Sequence, residues 1–100
     1  MTPEAKVKKR IKAILDSVGA WHFMPIGGAY SRAGIPDFVG CLNGRFFAIE
    51  AKAGKGRTTA LQEKEISLIK HAGGFAIVVN EKNVEELEAL LRQWREHWTF

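Results

Sequence analysis

The stretch Ile35-Pro36-Asp37-Phe38-Val39-Gly40-Cys41-Leu42-Asn43-Gly44-Arg45-Phe46-Phe47-Ala48-Ile49-Glu50-Ala51-Lys52 decides the fold. Asn43-Gly44 between two apolar runs is the strongest short hairpin signal, because a two-residue type I′ turn requires positive φ at both positions. Residues 35–42 therefore read as one strand and 45–52 as its antiparallel return. Asp37 falls near the start of the first strand, and Glu50 and Lys52 near the end of the second. Strand alternation puts Glu50 and Lys52 on one face and turns Ala51 to the other. Two carboxylates and an ammonium thus converge at the open end of a hairpin whose other residues are nearly all apolar.

Upstream, Val7, Ile11, Ile14, Leu15 and Val18 recur at helical steps, which predicts an amphipathic helix over 3–18. Thr2 is its N-cap, Pro3 its first position and Gly19 its stop. Lys6, Lys8, Lys9, Arg10 and Lys12 crowd its solvent side. Such a run is by default a solvated face, and the alternative is contact with phosphate. Residues 20–25 form a short aromatic strand before the glycine-rich stretch Gly27 to Gly34 breaks all periodicity.

Downstream, Thr58 or Thr59 caps a helix running to about His71, with Leu61, Leu68, Ile69 and Ala72 expected on its buried side. Gly73-Gly74 ends it. Phe75-Ala76-Ile77-Val78-Val79 is a continuous apolar run of the kind buried on both faces, and is expected as the central strand. Val84, Leu87, Leu90, Leu91, Trp94 and Trp98 then mark a last helix capped by Asn83. The expected architecture is α/β, a mixed β-sheet flanked by helices, in the order α-β-β-β-α-β-α.

One hundred residues suit one domain, 1–100, without a linker or repeat. Fifteen Lys and Arg against 11 Asp and Glu give a net charge of +4, a balance that favours polyanionic partners such as nucleic acid. Cys41 is the one cysteine and cannot close an intramolecular disulfide; it reads as a buried filler of its strand. No apolar stretch approaches the roughly 18 residues of a membrane span, and the N-terminus lacks a signal-peptide core, so a soluble, cytoplasmic protein is expected.

The open end of the hairpin carries the chemistry. Carboxylates facing each other, with the Ala51 carbonyl nearby, make a hard oxygen-rich site suited to Mg²⁺. An ammonium beside it, Lys52, can orient or help deprotonate a water and stabilise a charged transition state, as phosphodiester hydrolysis requires. The same residues also describe a plain ion pair on a wet sheet face, contributing at most about 1 kcal/mol.

Gly34-Ile35-Pro36-Asp37, then Phe47-Ala48-Ile49-Glu50-Ala51-Lys52, then Thr59-Ala60-Leu61-Gln62 resemble, in order and spacing, the VRR-NUC family of the PD-(D/E)xK nuclease superfamily. The resemblance extends from the first helix through Val79. It implies a restriction-endonuclease-like core in which Asp37 and Glu50 ligate Mg²⁺ or Mn²⁺, Ala51 adds a carbonyl ligand, Lys52 is the catalytic lysine and Gln62 takes the family's helix position. Glu4 is the counterpart of an acidic residue on the first helix that reaches the metal; at a helix N-terminus it is also simply a favourable charge. The activity implied is that of a structure-selective DNA endonuclease, foremost a resolvase of four-way (Holliday) junctions working as a homodimer. A flap or nicking nuclease, or a non-catalytic DNA-binding subunit, are the alternatives.

Flanking the site, Tyr30, Ser31 and Arg32 on one side and Lys55 and Arg57 on the other are placed to touch a DNA backbone or stack on a base. Taken singly, each is also an ordinary loop residue. The Gly27–Gly34 loop opens no helix and matches no phosphate-cradling motif. His22, His71 and His97 show no zinc spacing and read as structural or surface residues. Trp94, Trp98 and Phe100 read as core packing or as a dimer interface.

Overall fold

A computed structural model describes residues 1–27 and 32–96. Its elements follow the expected order: α1 (Pro3–Val18), β1 (Trp21–Phe23), β2 (Phe38–Leu42), β3 (Arg45–Ala51), α2 (Ala60–His71), β4 (Phe75–Val79) and α3 (Val84–Glu96). Trp98, Phe100 and His97 lie outside the described residues.

Helix α1 starts and stops where its caps dictate. Thr2 Oγ1 accepts the Ala5 N–H at 3.1 Å, Pro3 occupies the first turn, and Gly19 turns left-handed at φ 76° to end the helix. The β2–β3 hairpin turns on Asn43 and Gly44, both at positive φ (53° and 79°), and the Asn43 side-chain amide donates to the Trp94 carbonyl, tying the turn to α3. The β2 strand starts at Phe38, later than the expected 35, because Pro36 supplies no N–H and the chain enters the sheet only after Asp37.

The sheet order is β1-β2-β3-β4, antiparallel except for the parallel β3–β4 pair. Phe75–Val79 is therefore an edge strand and not the central one. Its apolar run is explained by cover on both faces: Ala76 packs with Ile66 of α2, while Phe75, Ile77 and Val79 pack on the α1–α3 side. Burial of both faces fixes what lies above and below a strand, not what lies beside it.

The larger core joins Ile11, Ile14 and Leu15 of α1, Phe38, Phe47 and Ile49 of the hairpin, and Leu87 and Leu91 of α3. On the opposite face α2 covers only the β3–β4 half, through Ala48, Ile66 and Ala76. This half-cover accounts for two corrections. Cys41 is exposed, because its side of β2 lies where α2 does not reach. The α2 residues against the sheet are Ile66 and, in part, Gln62 and Ile69, while Leu61, Leu68 and Ala72 are exposed.

Asn83 does not act as a simple cap. Asn80 Oδ1 accepts the N–H groups of Lys82 and Asn83, while Asn83 Oδ1 accepts the Asn80 N–H and Asn83 Nδ2 donates to the Val78 carbonyl. The pair closes the turn between β4 and α3.

Gly40 sits opposite both His22 and Phe47, and a Cβ there would fall 2.2 Å from the Trp21 carbonyl oxygen and 2.5 Å from the Phe47 ring. The ring fills the space that a β2 side chain would take. Gly40→Ala is expected to lower stability by about 1–3 kcal/mol, read as a fall in the urea midpoint at unchanged slope.

Candidate functional site

Asp37 precedes β2, and its place is set by one bond: Oδ2 accepts the Ala51 N–H at 2.9 Å. That bond closes the open end of the hairpin and leaves Oδ1 facing the Lys8 ammonium at 3.6 Å. Ala51 itself is fully buried, with its side chain in the large core, so alternation turns Glu50 and Lys52 to the α2 face. The Lys52 N–H donates to the Val79 carbonyl at 2.9 Å and extends the parallel pairing to the site.

Glu50 is only 4% exposed. Its Oε2 accepts from Gln62 Nε2 at 3.0 Å and lies 3.6 Å from Lys52 Nζ. Its Oε1 is buried without a hydrogen-bond partner among the described residues. Burial raises the Glu50 pKa from 4.5 to about 7, and the adjacent Asp37 carboxylate adds to the rise against the opposing pull of Lys52.

Gln62 is placed by the start of α2. Thr59 Oγ1 accepts the Gln62 N–H, and Gln62 Oε1 accepts the Thr59 N–H at 2.9 Å, a complete capping box. With its oxygen fixed to a donor, the amide must present Nε2 to Glu50. The helix start is held close by Gly34, at φ 87°, where a Cβ would meet the Leu61 carbonyl oxygen at 2.4 Å. Any side chain at 34 pushes α2, and Gln62 with it, off the site.

The expected site residues divide accordingly. Asp37, Glu50, Lys52 and Gln62 come together, with Ala51 as the N–H donor between them. Glu4 stands one ammonium away: Lys8 Nζ lies 3.6 Å from Glu4 Oε2 and 3.6 Å from Asp37 Oδ1. Among the described residues, no group of three or more His, Cys, Asp or Glu side chains forms a metal cage. Arg32 is held by Glu65, with Nε 2.8 Å from Oε1 and Nη2 3.0 Å from Oε2. This fork satisfies the buried Glu65 and fastens the 32–36 segment to α2. Lys55 and Arg57 are exposed on the loop after Lys52, which is anchored where Gly54 N–H donates to Glu81. Tyr30 and Ser31 lie outside the described residues.

Lys8 and Glu65 are the residues that sequence reasoning missed. Lys8 is one of five cations on its helix, with nothing local to single it out. Glu65 did carry a signal, since it stands on the apolar side of α2 between Leu61 and Leu68. Of the histidines, Nε2 of His22 lies 2.9 Å from Asp16 Oδ1 and His71 is exposed.

The donor set fits a hard divalent cation. Among the described residues, Asp37 Oδ1 and Glu50 Oε1 are carboxylate oxygens without a fixed donor N–H, and the second is buried, where an uncompensated anion is costly. Two such oxygens suit Mg²⁺ or Mn²⁺, which retain several waters. No protein-family model matches the chain, and no curated protein sequence matches it.

The raised Glu50 pKa makes a prediction in chelator. The folded protein holds a proton on Glu50 that the unfolded chain releases near pH 4.5, so this group's contribution to stability is complete below pH 4.5 and is lost as pH rises through about 7. Glu50→Gln is expected to flatten the fall in urea midpoint between pH 5 and 8 in EDTA, and to be relatively more stable than the parent chain at pH 8.

Proposed function

We propose that the protein is a metal-dependent DNA endonuclease with the PD-(D/E)xK core, hydrolysing phosphodiester bonds with water as nucleophile. One observation carries the reading: Asp37 and a buried Glu50, one of whose oxygens has no hydrogen-bond partner among the described residues, meet beside Lys52 at the open end of the hairpin. A wet surface ion pair has no need to bury a carboxylate oxygen without a partner. A module that only bound DNA would be weakened by carboxylates that repel phosphate.

A bound Mg²⁺ or Mn²⁺ supplies Lewis-acid stabilisation of the phosphoryl oxygens. The chain's own residues do the rest. The Ala51 N–H and the Gln62 amide hold the two carboxylates in place, so no reorganisation is needed when the substrate arrives. Lys52 is 15% exposed and 3.6 Å from Glu50, so its ammonium is poised to orient an attacking water and to offset charge that develops on the phosphoryl group. Lys55 and Arg57 stand on the loop beyond it, where a backbone phosphate arrives.

The substrate we favour is a four-way junction, cut by a homodimer with one site per protomer. An exposed apolar face supports the partner copy. Trp21, Cys41 and Phe46 form one cross-strand row on the side of the sheet that α2 leaves open, with Phe23 packed edge-on to Trp21 at a ring separation of 5.5 Å. Trp21 is 65% exposed, and Phe23 and Phe46 nearly half. With side chains of about 150–250 Å² each, these exposures leave roughly 350 Å² of apolar surface in one patch, a size that is often functional. A stable two-fold interface takes about 800 Å² per partner, and this row supplies the apolar centre of one.

The test incubates the protein with labelled four-way junctions, flaps, nicked and linear duplex, in Mg²⁺, Mn²⁺ or EDTA. Paired symmetric cuts in junctions are expected, abolished by EDTA and reduced by a factor on the order of 10²–10³ in Glu50→Ala and Lys52→Ala. Gln62→Ala is expected to lose about 10- to 100-fold, as removal of a group that orients a ligand does. Cuts confined to flaps or nicks would move the substrate, and metal-independent binding without cleavage would overturn the enzymatic reading. Trp21→Asp is expected to halve the mass seen in sedimentation equilibrium.

A further inference from the structure

We propose that Lys8 is a further residue of this site: its ammonium is the built-in counter-charge of Asp37 and Glu4, yields that place to a divalent cation, and then faces the phosphodiester. The inference rests on the metallonuclease reading above. Lys8 is set apart from the other cations of α1 by position. Its side chain is 33% exposed, while Lys6, Lys9, Arg10 and Lys12 are exposed residues, and Arg10 and Lys12 are paired with Glu88 and Asp16 away from the site. Lys8 Nζ is equidistant, at 3.6 Å, from Glu4 Oε2 and Asp37 Oδ1.

The oxygen it faces matters. Asp37 Oδ2 is committed to the Ala51 N–H, so Oδ1 is the oxygen left to a cation, and Lys8 stands in front of it. On the other flank, Lys52 stands against Glu50. Three carboxylates and two ammoniums leave the ionised site one charge negative, which disfavours a phosphate. Adding a divalent cation reverses the sign. Lys8 then has less anionic charge to answer and becomes a phosphate donor on the α1 side, opposite Lys52.

This assignment predicts a gain, which simple damage to the fold does not produce. Removing an ammonium that competes for Asp37 should tighten metal binding, whereas a loosened site should weaken it. Mn²⁺ binding is to be measured without DNA, by calorimetry and by the electron spin resonance of free Mn²⁺, on the full chain and on Lys8→Met, Lys8→Arg and Lys9→Met. Met keeps the helix propensity of Lys, and Lys9→Met removes the same charge from the adjacent exposed position.

Lys8→Met is expected to bind Mn²⁺ about three- to tenfold more tightly, the scale of losing two partly exposed ion pairs. Lys8→Arg and Lys9→Met are expected to stay near the parent value. In Ca²⁺, Lys8→Met should bind junction DNA more weakly, with the slope of log affinity against log salt smaller by about one. Mn²⁺ affinity unchanged or weaker in Lys8→Met, or an equal gain in Lys9→Met, would overturn the role of Lys8 alone. No Mn²⁺ uptake by the parent chain would overturn the metallonuclease reading, and the role of Lys8 with it.

Discussion

The burial of Glu50 is the constraint around which the rest of the chain is arranged. A carboxylate in the seam between sheet and helix cannot be left to water, and a 100-residue domain has little surplus stability to spend on it. Each neighbouring element answers part of the cost. Helix α2 brings the Gln62 amide, the end of β3 brings Lys52, and the parallel pairing with β4 holds Lys52 by its backbone. One oxygen remains without a donor among the described residues. The chain thus holds at this point an arrangement that packing alone would remove, and under the function proposed above this is an oxygen left to a cation.

The two faces of the sheet serve different ends. Helices α1 and α3 bury the Phe38, Phe47 and Ile49 side in a continuous apolar core that provides most of the stability. The α2 face is thinly covered and carries both Glu50 and the exposed aromatic row. The apolar core and the buried Glu50 therefore occupy opposite faces of the same four-stranded sheet.

Much of this was legible in the sequence where short-range chemistry decides the outcome. The caps Thr2 and Gly19 bound α1, Asn43-Gly44 sets the hairpin, and strand alternation places Glu50 and Lys52 together. The errors share one cause, which is that periodicity reports faces and not neighbours. Phe75–Val79 reads the same whether central or at the edge, provided helices cover both sides. Leu61 and Leu68 fit an apolar stripe on α2, yet the buried stripe runs through Ile66 and beside Glu65, because Arg32, 33 residues away, neutralises that carboxylate. Cys41 sits in an apolar strand whose cover stops short of it. Lys8 was hidden for a similar reason, since only the approach of the Asp37 segment distinguishes it from its helical neighbours.

The capping box at Thr59 ties the lifetime of the site to a helix end. Gln62 uses one end of its amide to close the first turn of α2 and the other to hold Glu50. Helix ends fray more readily than helix centres, and local opening of this kind takes less free energy than global unfolding. Each excursion of the first turn therefore releases Glu50 as well. Because the Gln62 N–H donates to Thr59 Oγ1, amide hydrogen exchange at Gln62 is a direct clock for how often the carboxylate loses its support.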